Sequence, residues 1–190
     1  GTFTPHCAAI DPYKLVQELS AFLHARGIAI YEGTRVLNIQ PSKAQTQSAT
    51  VHATTIIRAT EGYTKSLHGE KRSIAPVYSL MVATEPLSAN MWAEIGLGER
   101  ETFSDYRNLV IYGQRTADNR IAFGGRGAPY HFNSKISPAQ DTNESVHTEL
   151  RATLTQMFPV LKSATFTNAW GGPLGIARDW WASCNYDPTT

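Results

Sequence analysis

The sequence predicts an α+β fold, and two observations on residue spacing support this prediction. Up to about residue 72, a single amphipathic helix stands among β-prone stretches, which is the spacing of an α/β layer. From Ser73 onward, short β-prone runs follow one another with turn residues between them, which is typical of antiparallel hairpins. We therefore expect a sheet that is mainly antiparallel and is flanked by helices.

A helix is predicted from about Pro12 to Arg26. Asp11 is a favoured N-cap residue, and proline is common at the first helical position. Gly27 is a favoured residue just beyond the end of a helix. The apolar side chains that recur at helical spacing, and so form one face, are Leu15, Val16, Leu19, Phe22 and Leu23.

The rest of the first region is predicted to form strands and one loop. Strands are expected over Ile28–Glu32, Thr34–Ile39 and Thr50–Ala59, where β-branched and aromatic residues are concentrated. Gly33 separates the first two strands. Residues 41–48 are polar and show no periodicity, which predicts a loop.

The second region is predicted to contain a long strand, a short helix, three hairpin strands, a second amphipathic helix and a last strand. Ser88 is the expected N-cap of the short helix, and Asp141 or Asn143 that of the second. Pro159 ends the second helix, and a turn is expected at 171–173. The predicted bounds are Ile74–Thr84, Ser88–Ile95, Glu101–Tyr106, Leu109–Gly113, Arg120–Gly125, Thr142–Phe158 and Ala164–Trp170.

Composition excludes several classes of protein. The chain has 190 residues, of which 42% are hydrophobic and 17% charged, with a formal net charge of +1. Scattered charges of this kind do not indicate a nucleic-acid partner. No apolar run approaches the roughly 20 residues of a membrane span, so no membrane partner is expected. No metal site is predicted, because histidines, cysteines and acids do not cluster at ligand spacing.

The cysteines indicate the compartment. Cys7 and Cys184 lie near opposite ends of the chain. We interpret them as free thiols of a reducing compartment, with a disulfide as the alternative. No signal peptide opens the sequence, and we expect a cytoplasmic protein.

Three stretches are candidates for a binding site. Residues 124–127 are glycine-rich but open no helix, so they are not a phosphate loop. They form either a bulged strand end or a close backbone approach to a flat ligand, with Arg126 facing a carboxylate. His131 is the histidine that we retain as a site candidate. Arg178 begins the stretch 178–181, in which two tryptophans form either core or interface, or a surface on which a ligand stacks.

Taken in order, several motifs resemble those of the FAD-dependent D-amino-acid oxidase and sarcosine/glycine oxidase superfamily, and within it the gamma-glutamylputrescine oxidase-like oxidoreductases. The motifs are AAIDPYKLVQEL, GIAIYEGTRVLNI, IIRATEGYT, APVYSLMVATEPL, FGGRGAPYHF and NAWGGPLG. The resemblance covers roughly residues 8–179. Each motif alone is weak, but their shared order is fairly specific.

The resemblance implies a two-domain flavoprotein. Residues 1–72 would be part of a Rossmann-like FAD domain, 73–178 the substrate domain, and 179–190 the start of the return to the FAD domain. We expect the chain to be a fragment, because the family's strand–GxGxxG–helix unit would precede Gly1 and its C-terminal FAD segment would follow Thr190.

The resemblance also implies site residues. Glu61 stands where the family often has a neutral residue, and its carboxylate would repel the FAD pyrophosphate unless it points away. No catalytic residue is assigned. The expected FAD-binding residues are Val36, Ala59, Thr60, Gly62, Trp170, Gly171 and Gly172. The expected substrate-binding residues are Tyr78, Arg126, Tyr130 and Arg178.

The activity implied for the intact protein is oxidation of the C–N bond of a small-molecule amine or amino acid, by hydride transfer to the flavin. Two alternatives stay open: a non-catalytic binding or assembly module on the same fold, and a flavin dehydrogenase that uses an acceptor other than oxygen. We expect this fragment to be inactive alone, to bind no FAD, and to self-associate through exposed strand edges over 28–59.

Overall fold

The computed structural model describes residues 2–125, 130, 132–177 and 179–186. The helices are α1, Pro12–Ala25, α2, Ala89–Ile95, and α3, Glu144–Met157. Strands β1 to β3 are Val36–Gln40, Lys43–Thr46 and Thr50–His52. Strands β4 to β7 are Ile74–Thr84, Ile111–Arg115, Ile121–Gly125 and Phe166–Ala177. Helices and antiparallel strands therefore confirm the predicted α+β class.

The chain divides into two compact units. The large-sheet unit contains the described residues of 1–18, 78–130 and 137–172, and the small-sheet unit those of 19–77, 131–136 and 173–190. In the small-sheet unit, β1, β2 and β3 form an antiparallel sheet in that order. The other sheet has the order β5-β6-β4-β7. The predicted domain limits at 72 and 178 stay a prediction.

The core of the large-sheet unit lies between one face of its sheet and α3. Strand β6 pairs antiparallel with both β4 and β5, so that Leu80 and Ile111 both lie opposite Gly125. Alternate residues of each strand point to the same face. The buried side chains of this core include Tyr78, Leu80, Val82, Ile111, Ile121, Phe123, Val146, Leu150, Leu154 and Leu161.

The predicted helices α2 and α3 are confirmed, and their N-caps explain where they begin. The Ser88 hydroxyl accepts a hydrogen bond from the Met91 N–H at 3.3 Å. Of the two candidate caps for α3, Asn143 is the one observed, because its side-chain oxygen accepts from the Val146 N–H at 3.3 Å. Each cap satisfies a backbone donor that has no partner within the helix.

Three predictions for the first region were wrong in detail. Residues 28–32 form no strand, since no described strand pairs with them. The predicted loop at 41–48 contains β2, because the chain reverses at Ser42, whose φ is 57°, and pairs Gln40 with Lys43. The predicted strand over 50–59 is only β3, three residues long, and the side chain of Ile57 is 87% exposed.

Two predictions for the second region also need correction. Residues 101–106 form no strand but one bridge, Phe103 with Gly113, and β5 begins at Ile111 rather than Leu109. The Phe103 ring is partly buried and packs against the core, with its centroid 6.1 Å from that of Phe123. No turn breaks the chain at 171–173, because β7 continues to Ala177. Pro173 is tolerated there since β7 lies at the edge of the described sheet.

Candidate functional site

A cleft of about 910 Å³ lies in the small-sheet unit, and Val36 is one of its walls. Val36 begins β1, and the backbone reversal at Ser42 sets the position of that strand in its sheet. A cleft of this volume is of the size that holds small molecules. The residues that line it are Arg35, Val36, Tyr63, Lys65, Ser66, Phe132, Asn133, Lys135 and Ile136.

The lining of this cleft is cationic and aromatic. Arg35, Lys65 and Lys135 carry positive charge, and no acidic side chain is among the described residues that line it. The Lys65 ammonium donates a hydrogen bond to the Asn133 carbonyl, which joins two segments that are 68 residues apart in sequence. The rings of Tyr63 and Phe132 are exposed. Such a lining suits a ligand that carries both negative charge and a flat ring system.

The predicted turn at Ala59–Gly62 leads into a short 3-10 helix, Glu61–Ser66. The hydroxyls of Thr60 and Thr64 are hydrogen-bonded at 2.9 Å and hold the first turn. Gly62 is buried, and a Cβ at this position would lie 3.1 Å from the Pro173 carbonyl oxygen. Glycine at position 62 is therefore explained by the close approach of two backbone segments.

The carboxylate of Glu61 is directed at backbone amides. One of its oxygens accepts a hydrogen bond from the Gly175 N–H at 2.5 Å, and the other accepts from the Gly62 N–H. Hydrogen bonds from N–H groups to a carboxylate are charge-assisted and strong. The carboxylate is thus bound by the protein itself. Engagement of this kind meets the condition, stated for the sequence, under which an anionic group can lie near this turn.

The three candidates on β7 differ in their surroundings. A Cβ on Gly171 would lie 2.8 Å from Cγ of Leu80 and 3.1 Å from the Ser79 carbonyl, so Gly171 packs against β4. Gly172 has open space where a side chain would be, and the Trp170 side chain is 41% exposed. Alternation along a strand places Trp170 and Gly172 on the face opposite that of Gly171.

Of the predicted substrate residues, Tyr78 is buried and Tyr130 is exposed. The Tyr78 hydroxyl accepts a hydrogen bond from the Ser137 N–H at 3.0 Å. Arg126 and Arg178 lie outside the described residues, as does His131. The rings of Trp180 and Trp181 are exposed rather than part of a core.

A hydroxyl pair on the large sheet was not predicted from the sequence. Ser79 and Tyr112 are hydrogen-bonded through their side chains. The Tyr112 ring crosses Gly124, where a Cβ would lie 2.7 Å from Cε2 of the ring. For residues 124–127 we considered a close approach of the backbone to a flat ligand. At Gly124 the group that approaches the backbone is instead the side chain of Tyr112. Strand β6 pairs regularly through Gly125, so the bulge alternative does not apply up to that residue.

The described part of the chain contains neither a group of metal ligands nor a membrane-spanning helix. Within it, no three side chains of His, Cys, Asp or Glu lie close enough together to hold a metal ion. Its helices are also too short or too polar to cross a membrane. Cys7 and Cys184 are both free and exposed.

Comparison with known proteins places these features in a family context. Residues 1–184 match the sequence profile of the family described as FAD dependent oxidoreductase. The chain is 31% identical over 172 residues to "Probable oxidoreductase OrdL" of Rhizobium meliloti (strain 1021), covering 88% of this chain and 37% of that protein. It is 25% identical over 185 residues to the protein of the same name from Haemophilus influenzae, covering 93% and 40%. The chain thus spans about two fifths of the length of these relatives.

Solved structures share the fold. The chain superimposes on glycine oxidase from Geobacillus kaustophilus with a TM-score of 0.68 and 18% identity, covering 92% of this chain and 45% of that one. L-Proline dehydrogenase from P. horikoshii gives a TM-score of 0.69 and 16% identity, with coverage of 89% and 45%. At these identities the likeness extends to the fold alone.

Proposed function

The chain belongs to the FAD dependent oxidoreductase family, and on that premise we propose that it is part of an enzyme that oxidises the C–N bond of a small amine or amino acid. The observation that carries the proposal is the cationic and aromatic cleft with Val36 in its wall. The names of two similar folds, glycine oxidase and L-proline dehydrogenase, support amino acids as the substrate class.

The cleft suits part of a flavin dinucleotide. FAD is anionic because of its two phosphates, and its adenine and flavin rings are flat. The cleft offers the positive charges of Arg35, Lys65 and Lys135 beside the rings of Tyr63 and Phe132. We assign the backbone of Val36 to the adenine side. Arginine and lysine side chains bind phosphate oxygens through charge-assisted hydrogen bonds.

The turn at Ala59–Gly62 is the second part of the proposed cofactor site. Thr60 is tied to Thr64, and Gly62 lies against Pro173, so the backbone of the turn is fixed before any ligand binds. The negative charge of Glu61 is engaged by two N–H groups. We propose that Ala59, Thr60 and Gly62 present backbone to the ribose and pyrophosphate.

The remaining site residues are proposed from the family resemblance. Trp170, Gly171 and Gly172 are assigned to the flavin; open space at Gly172 and partial exposure of Trp170 support the assignment of these two. FAD, when bound, would supply the acceptor for the hydride that leaves the carbon next to the nitrogen. The contribution of the protein is to orient the substrate and to exclude water, for which the candidates are Tyr78, Arg126, Tyr130 and Arg178.

We propose that the complete protein is longer than this chain and that the domains divide near residues 72 and 178. The chain matches only 37% and 40% of the length of the OrdL proteins. The 190 residues alone are expected to bind no FAD, because a dinucleotide held on one side gains too little to offset its loss of freedom. Free thiols at Cys7 and Cys184 support a cytoplasmic location.

A flavin-binding experiment tests this function. The protein expressed from the complete reading frame is expected to purify with FAD near a 1:1 ratio, as measured by its absorbance spectrum, and to oxidise a member of an amine and amino-acid panel. Assays with and without oxygen identify the electron acceptor. A colourless protein that takes up no added FAD would contradict the proposal.

Substitutions in the cleft, measured in the same FAD-binding assay, test whether the cofactor binds there. Arg35→Gln and Lys135→Gln each remove one positive charge from the lining, and each is expected to weaken FAD binding about tenfold. Lys14→Gln removes the same charge from α1, outside the cleft, and is the matched control. Equal FAD affinity in all three variants would contradict the assignment of the dinucleotide to this cleft.

We also propose that the isolated chain self-associates through the region 28–59. The edge strands β1 and β3 leave backbone groups without a described partner strand, and Val51 and Ile57 are exposed. Light scattering across a dilution series measures this association. A monomer at every concentration would exclude it.

A further inference from the structure

Two segments of the small-sheet unit come together at Glu61. The first is the turn Ala59–Gly62, and the second is the C-terminal half of β7, residues 173–177. They are 114 residues apart in sequence at the hydrogen bond that joins Glu61 to Gly175. A contact between such distant segments fixes the position of the turn.

The contact is made by backbone as well as by the side chain. A Cβ on Gly175 would lie 2.6 Å from the carbonyl carbon of Glu61 and 2.7 Å from the nitrogen of Gly62. Only a residue without a side chain allows this approach. On the other side of the contact, Gly62 meets Pro173 in the same way. The segments therefore touch through their backbones at two places, in addition to the hydrogen bond of the Glu61 carboxylate.

The backbone of Glu61 adopts a conformation that a glutamate rarely takes. Its φ is 48°, in the left-handed region that favours glycine and asparagine. Residues in this region persist where surrounding contacts hold them, and they are frequent at functional sites. Here the holding contacts are the two N–H groups, of Gly175 and Gly62, that donate to the carboxylate.

We infer that Glu61 is a positioning residue for the cofactor: its carboxylate bridges the amides of Gly62 and Gly175 and so fixes the backbone turn that faces the dinucleotide. This inference rests on the proposed function, because the turn matters for binding only if FAD lies beside it. The negative charge of Glu61 is then engaged by two backbone N–H groups of the protein rather than directed at the ligand. The bridge also explains why an acid is compatible with an anionic ligand nearby.

Two variants separate the carboxylate from the backbone. Glu61→Gln keeps the shape of the side chain, but its amide NH₂ group cannot accept, so one of the two N–H groups loses its partner. Glu61→Gly loses both hydrogen bonds while it relieves the left-handed backbone conformation. Glu32→Gln is the matched control, because Glu32 is an exposed acid of the same unit and makes neither of these bonds.

The first readout is amide hydrogen exchange in the 190-residue chain. Amide exchange at Gly175 is expected to become about tenfold faster in Glu61→Gly, because the amide loses a hydrogen bond to a charged group. In Glu61→Gln, exchange at whichever of Gly62 and Gly175 loses its acceptor should lie between the wild-type rate and the Glu61→Gly rate. Glu32→Gln should leave both amides unchanged. Unchanged exchange at Gly175 in Glu61→Gly would overturn the bridge, since glycine relieves the backbone and leaves only the lost carboxylate to act.

The second readout is the dissociation constant of FAD for the protein from the complete reading frame. Glu61→Gly is expected to raise it about tenfold, and Glu32→Gln to leave it unchanged. Faster exchange at Gly175 with an unchanged dissociation constant would overturn the positioning role and keep the proposed function. A wild-type protein that binds no FAD would instead overturn the proposed function, and the cofactor role of Glu61 with it.

Discussion

The large-sheet unit and the small-sheet unit are stabilised by different kinds of contact. In the large-sheet unit, strands and α3 share one apolar core, in which Leu80, Phe123 and Leu154 have no exposed surface. In the described part of the small-sheet unit, the buried apolar side chains are those of Leu67 and Pro76. What holds that unit instead are polar and backbone contacts, such as those of Thr46 and Glu61.

This difference bears on where a cofactor would bind. Burial of apolar surface stabilises a unit whether or not a ligand is present, whereas a unit held by a few hydrogen bonds opens at lower cost. The small-sheet unit contains the cleft with Val36 and the Ala59–Gly62 turn, which we assign to the dinucleotide. Its stability is therefore expected to depend on the ligand more than that of the large-sheet unit.

The largest expected effect on the free energy of unfolding comes from a leucine-to-alanine substitution, made once in α3 and once in α1. Leu154→Ala on α3 removes a side chain that is 0% exposed, and we expect a loss of about 2–5 kcal/mol in the free energy of unfolding. Leu19→Ala on α1, where the side chain is 52% exposed, should cost under about 1 kcal/mol. Chemical denaturation measures both. Equal losses would show that the α1 face is covered in solution and would break the comparison.

Two adjacent glycines give the next effect. Gly171→Ala places a Cβ 2.8 Å from Cγ of Leu80, and overpacking of this kind costs about 1–3 kcal/mol. Gly172→Ala enters open space and is expected to leave the free energy of unfolding nearly unchanged. The same denaturation experiment compares them. If Gly172→Ala were the more damaging variant, the described orientation of β7 would be incorrect.

The effect of removing a helix cap is expected to depend on how deeply the helix is buried. The side chain of Asn143 caps α3, and Asn143→Ala should lower the free energy of unfolding by about 1 kcal/mol. Asp11 caps α1 by accepting from the Lys14 N–H at 3.1 Å, but α1 has no buried residue. Asp11→Ala is therefore expected to fray α1, seen as reduced helical circular dichroism, with a smaller change in global unfolding.

The smallest effect is a dependence on pH in the small-sheet unit. The Ser73 hydroxyl, and then Arg58, bind the carboxylate of Glu70 and lower its pKa from the ordinary value of 4.5. A lowered pKa in the folded state means that this contribution is present above about pH 4.5 and is lost as the pH falls through the folded pKa. Because the pair is partly exposed, the contribution is expected to stay under about 1 kcal/mol.

A titration followed by nuclear magnetic resonance checks this directly. Ser73→Ala removes the main cause of the shift and should raise the pKa of Glu70 toward its ordinary value. Asp118 in the large-sheet unit serves as the internal reference, because Thr116 and Arg120 lower its pKa independently of Ser73. An unchanged pKa at Glu70 in the variant would contradict the assigned cause.

The sequence predicted the large-sheet unit better than the small-sheet unit, for a physical reason. Strand β4 is a long run of β-prone residues, and helix α3 has apolar periodicity and a local cap; both were predicted within two residues of their observed bounds. By contrast, β2 is a polar strand that forms because Ser42 reverses the chain, and apolar spacing does not detect it.

The candidate site shows the same limit. Val36 was identified through its motif, and Arg35 stands beside it in the sequence. Lys135 and Phe132 line the same cleft from a segment about a hundred residues away, and nothing local to either residue indicates that proximity. The bridge from Glu61 to Gly175 is likewise a long-range contact. Such contacts depend on the whole fold, whereas motifs and caps depend on a few neighbouring residues.

The most direct test of the account is hydrogen exchange of the complete-frame protein with and without added FAD. We predict that FAD slows amide exchange at residues 35–36 and 59–62 of the small-sheet unit, by about tenfold or more at a ligand concentration well above the dissociation constant. The core strands β4 and β6 should change little, because their protection comes from apolar burial. Protection confined to the large-sheet core, or no protection at Val36 and Gly62, would contradict the assignment of the adenine and pyrophosphate of FAD to the small-sheet unit.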